Sequence, residues 1–197
     1  MKNRSFNRTL AALLEPLGFV PTKGRRQWLR EQDGFLDEID IQLSRGLDEV
    51  TVNYGMRHQV ARLAVEAVAG RGRSGGGWVV EGRVGEATAG KGRWWRRSDP
   101  QAGPEAAELV EREVLPLFAR MHTVEPYIEV LAAVHGRERW VLVSPRLELA
   151  VLLHSRGERE RAWDLLTSPP SKLRDGELER VIAVRDLLAR RDAQLTL

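Results

Sequence analysis

The chain has 197 residues, 42% hydrophobic and 30% charged, the balance of a folded globular protein and not of a disordered one. It holds no cysteine, which excludes disulfides, thiolate metal sites and cysteine nucleophiles. The net charge of +3 is uneven: residues 57–97 carry nine Lys/Arg against three Asp/Glu, so attraction to phosphate would come from that one segment.

The N-terminal stretch MKNRSFNRTLAALLEPLGF spaces its apolar residues like a helical face, unlike a secretory signal. Phe6, Leu10, Leu13, Leu14 and Leu17 form the stripe, with Asn3 or Ser5 as cap and Gly18 as stop. No apolar run is long enough to span a bilayer, and a soluble, cytoplasmic protein is expected.

Two alternating segments follow. In EIDIQL, Ile39, Ile41 and Leu43 face one way and Glu38, Asp40 and Gln42 the other. In EVTVNYG, Val50, Val52 and Tyr54 oppose Glu49, Thr51 and Asn53, and residues 44–48 suit a hairpin loop. RRQWLRE before them and GWVVEGRVG after them read as further strands. Residues 57–69 form a short helix or ordered connection, and the glycine-rich run 70–77 is a flexible loop.

From Gly103 a helix resumes, carrying Ala107, Val110, Val114, Leu117, Phe118 and Met121, with Pro116 placed to kink it. Residues 123–134 read as another helix. Ser144-Pro145 starts a third, Gly157 separates it from residues 158–167, and Asp175 caps a last long helix. Leu149, Ala150, Leu153, Gly157, Ala162 and Leu166 have tetratricopeptide-like spacing. One such hairpin is too few for a solenoid.

The order of several motifs resembles the bacterial family known as domain of unknown function 4304. Those motifs are Leu17-Gly18-Phe19, IDIQLS with Gln42 and Ser44, VTVNYG with Asn53 and Gly55, EGRVG with Arg83, the pair Trp94-Trp95, and VLPLF at 114–118. The resemblance covers about residues 5–135 and implies a small α+β domain, with no activity and no catalytic residues attached. The fold expected is therefore α+β: an antiparallel sheet of about four strands with helices on one face, in a domain at 1–135. A helical hairpin and a final helix follow as an appendage at 136–197.

GRGRSG at 70–75 matches the dinucleotide fingerprint in letters only, because no strand precedes it and no helix follows. Arg71, Arg73, Arg96 and Arg97, with Trp94 or Trp95 stacking on a base, would make a single-stranded nucleic-acid surface. Adjacent strand residues point to opposite faces, however, so one tryptophan of the pair should be buried. His58, His122, His135 and His154 show no metal-ligand spacing, and no catalytic, metal or cofactor residues are assigned. The polar sheet face gathers Gln42, Ser44, Asn53 and Arg83 among the acidic residues Glu38, Asp40, Glu49 and Glu81. That pattern suits a polar or basic protein partner, and an enzyme with a small-molecule pocket is the third reading.

Overall fold

The computed structural model describes residues 4–22, 26–69, 78, 80–135, 143–168 and 176–194. The expected loop at 70–77, with Arg71 and Arg73, lies outside them, as does the expected cap Asp175. The fold is α+β and divides into two compact units, Met1–Arg57 with Val80–Thr123, and His58–Val79 with Val124–Leu197.

The first unit holds the sheet. Its strands are β1 (Val20–Pro21), β2 (Gln27–Gln32), β3 (Phe35–Leu43), β4 (Glu49–His58), β5 (Val80–Arg83) and β6 (Trp95–Arg96). They follow the order β1-β2-β3-β4-β5, with β6 also paired to β4. The two alternating segments are the adjacent central strands β3 and β4. β3 starts at Phe35, three residues before the alternation became visible. Asp33 and Gly34, both at positive φ (53° and 81°), make the two-residue turn that joins it to β2.

Helix α1 (Arg4–Leu14) buries Phe6, Leu10 and Leu14, three of the five residues in the stripe that its spacing defines. After it come α2 (Gln59–Ala69), which belongs to the second unit, and the single turn α3 (Glu86–Ala89). Then α4 (Ala102–Leu109) and α5 (Leu115–Met121) are joined through a π-helical turn at Val110–Val114. Pro116 has no N–H to donate to the carbonyl four residues back, and the ladder widens just ahead of it. The helices cover one face of the sheet: Phe118 lies 6.4 Å from Phe19 and 6.3 Å from Tyr54, centroid to centroid. Trp28, Phe35, Ile39, Ile41, Val50, Val52 and Met56 complete this dry side.

The second unit packs α2, α6 (Val124–His135), α7 (Val143–Ser155), α8 (Arg159–Thr167) and α9 (Glu177–Gln194). α7 is its centre. Residues 145–154 are all buried, and α2, α6, α8 and α9 each pack against this helix. The division therefore falls elsewhere than the expected boundary at 135, because α2 and α6 bury their apolar sides against C-terminal helices. Ala150 and Ala162 are fully buried between α7 and α8, where small side chains allow the close approach expected of the hairpin. Buried Arg146 donates from Nε to the Leu165 carbonyl at 2.5 Å and from Nη2 to the Ser168 carbonyl, which satisfies the end of α8.

Candidate functional site

The uncovered face of the sheet follows from parity. Gln42 lies on β3, Asn53 on β4 and Arg83 on β5, and the β4–β5 register sets Asn53 directly opposite Arg83. The three side chains form one hydrogen-bonded frame. Asn53 Nδ2 donates to Gln42 Oε1 at 3.1 Å and to Asp40 Oδ2 at 3.5 Å. Arg83 Nε donates to Asn53 Oδ1 at 3.3 Å, and its Nη2 to Gln42 Oε1 at 3.5 Å. Gln42 is exposed, and Ser44, Asn53 and Arg83 are half-buried, so the frame meets solvent along its outer side. Ser44 stands just past β3 and is held by its own backbone, N–H to the Glu49 carbonyl at 3.0 Å.

Above the frame runs the segment that carries the paired tryptophans. The Arg83 guanidinium lies over the Trp94 ring, 5.0 Å from its centroid. Gly92 makes the crossing possible: a Cβ there would fall 2.1 Å from Arg83 Cδ, so any other residue would displace the Arg83 side chain. This crossing corrects one expectation. Thr51 has the parity of the polar face but is fully buried, donating to the Arg93 carbonyl at 2.6 Å.

The acidic end of the face is drier than alternation alone suggests. Glu38 is only 9% exposed and accepts from Gln27 Nε2 at 2.8 Å, and Gln27 accepts in turn from Thr22 Oγ1 at 2.9 Å. Burial pushes both the Glu38 and the Asp40 carboxyl above the ordinary carboxylate range. Their hydrogen bonds to Gln27 and Asn53 pull the other way and only partly offset it.

The nucleic-acid candidates scatter. Trp95 is buried, 6.1 Å from Phe6 between ring centroids, with Nε1 donating to Glu105 Oε2 at 3.0 Å. Its neighbour Trp94 is half-buried, so the pair splits between inside and outside as strand geometry requires. Arg96 is exposed, and Arg97 is half-buried with Nε 3.7 Å from Asp48.

A buried polar cluster that the alternation does not reveal lies on the opposite face. Asp37, with no exposed surface, accepts from Arg30 Nε at 3.0 Å and Nη2 at 2.7 Å, and contacts His122 Nε2 at 3.0 and 3.1 Å. The ring of His122 stacks on Phe35 at 5.5 Å. A usable signal existed, since Asp37 shares the parity of Ile39 and Ile41. A carboxylate pointing into a dry layer demands a cation.

Histidines in the second unit also have local work. His58 Nδ1 accepts the Ala61 N–H at 3.2 Å, capping α2, and burial pulls its pKa below the usual imidazole value. His154 Nε2 lies 3.0 Å from Asp192 Oδ1, which also meets Arg159 Nε at 3.1 Å. Among the described residues, no group of three or more His, Asp or Glu side chains is arranged to hold a metal ion, and no helix is long and apolar enough to cross a membrane. No family model, curated protein or solved structure matches the chain.

Proposed function

We propose that the protein is a non-catalytic protein-interaction module, immunity- or antitoxin-like in kind, that engages its partner through the uncovered sheet face. The carrying observation is the frame of Gln42, Asn53 and Arg83, already hydrogen-bonded and mounted on three neighbouring strands. Side chains fixed before contact lose little rotamer freedom on binding, and that saving favours affinity. Gln42, Asn53 and Arg83 bind by direction and shape, through amide and guanidinium groups of fixed geometry. Ser44 adds a hydroxyl at the end of the same ridge. Around the frame, Asp40, Glu49 and Glu81 favour a polar or basic partner surface. The resemblance to domain of unknown function 4304 belongs to this reading, since its motifs include Gln42, Ser44, Asn53 and Arg83. So does a cytoplasmic location.

The test is affinity capture from an extract of the source organism, using the wild-type protein and the Gln42→Ala and Asn53→Ala variants. A single protein retained in stoichiometric amount by the wild type, and lost with either variant whose circular dichroism is unchanged, is the expected result. Equal retention by all three proteins would reject the sheet face as the contact surface.

A further inference from the structure

The segment that crosses the polar face also walls a cleft of about 590 Å³ in the first unit. Trp94, Lys91, Arg93 and Gly85 form one side, and Leu109 and Arg112 the other. We propose that this cleft binds one unpaired nucleotide, the base stacked on the Trp94 ring and its phosphate held by Lys91.

The ring is already committed on one side, where Arg83 lies over it at 5.0 Å. This contact fixes the indole, and Trp94 also lines the cleft, where a second planar group can meet it. Aromatic stacking of that kind accepts any base, because each has a π-face. Leu109 supplies apolar wall beside the ring.

The charges set the class of phosphate. Arg93 pairs with Glu105 at 3.4 Å, and Arg112 with Glu108 at 3.1 Å and Glu113 at 3.7 Å, so two of the cleft's three cations are already answered by carboxylates. Exposed Lys91 makes no hydrogen bond or ion pair among the described residues. A single unanswered ammonium suits a singly charged phosphodiester better than a doubly charged phosphomonoester. Arg112 sits in the π-helical turn at Val110–Val114, and such turns recur at functional sites. An unpaired nucleotide can come from a single strand or from a free mononucleotide. The single unanswered ammonium favours the strand.

The test titrates the full chain, at low salt, with short oligothymidylate, adenosine 5′-monophosphate and inorganic phosphate, following tryptophan fluorescence and calorimetry. Saturable quenching by oligothymidylate is expected, about tenfold weaker in Lys91→Glu and unchanged within about twofold in Arg96→Glu, which alters an exposed cation outside the cleft. Trp94→Ala should remove the quenching. Saturable binding of the mononucleotide in place of the oligomer, with the same Lys91 dependence, would keep the site and assign it to free nucleotides. No saturable binding by either nucleotide probe, equal binding of inorganic phosphate, or an equal loss in Arg96→Glu would overturn the proposal.

Discussion

Asp37 and Asp40 stand three residues apart on β3 and face opposite sides of the sheet. Asp37, on the covered face, is wholly buried and meets the Arg30 guanidinium and the His122 ring at 2.7–3.1 Å. Asp40 is half-buried on the other face, with Asn53 as its side-chain hydrogen-bond partner, and neighbouring Glu38 has Gln27 in the same way. A carboxylate sunk in an apolar layer persists only with a charged partner, whereas one at a wetter face can be held by amides and lets its pKa rise. The two faces therefore solve one problem differently, and the difference separates a structural cluster from a surface open to contact.

The largest expected effect tests the covered face. Asp37→Ala leaves the Arg30 guanidinium without its counter-charge and should cost about 3–5 kcal/mol in chemical denaturation. A loss below about 1 kcal/mol would mean that water reaches the cluster and that the contrast between the faces is false.

A smaller effect extends the contrast to the second unit, at His58. Its cap needs an unprotonated Nδ1, and burial lowers its folded pKa below the ordinary 6.5. The cap's contribution is thus present above that value and lost as pH falls through the depressed folded pKa. His58→Ala should cost about 1 kcal/mol at pH 7. His58→Asn, which caps without titrating, should flatten the decline of thermal stability between pH 7 and 5.

The smallest effect has the opposite sign. Glu38 has a folded pKa raised above 4.5, so its contribution is complete below that value and is lost as pH rises through the folded pKa. Glu38→Gln should match or exceed wild-type thermal stability at pH 7, with any gain vanishing near pH 4. A clear loss at pH 7 would show that the ionised carboxylate has a cationic partner stronger than Gln27.

Alternation in EIDIQL and EVTVNYG was enough to place β3 and β4 and to put Gln42 and Asn53 on one face, because a strand's side chains have period two. Arg83 joins them through the β4–β5 register, which follows from which strands are neighbours and not from local pattern. The Asp33-Gly34 turn is a strong hairpin signal, and reading it would have extended β3 back to Phe35 and Asp37. The burial of Thr51 and the stacking of Trp94 on Arg83 were not legible. Both arise from the segment at residues 92–94 folding back against the sheet, 42 residues beyond Thr51 and 11 beyond Arg83. The grouping of α2 and α6 with the C-terminal helices was hidden for the same reason, since it rests on packing partners far apart in the chain.

Each unit is assembled from two separate stretches of polypeptide, so neither can be obtained by a single cut. Ending the chain at residue 135 would retain α2 and α6 while deleting the helix that covers Tyr127 and Leu131. The strand register offers another route. Met56 pairs with Val80 across β4 and β5, which brings the two ends of the inserted stretch side by side. Replacing residues 58–79 with a short reverse turn, and stopping after Thr123, would splice the sheet into one continuous miniature protein.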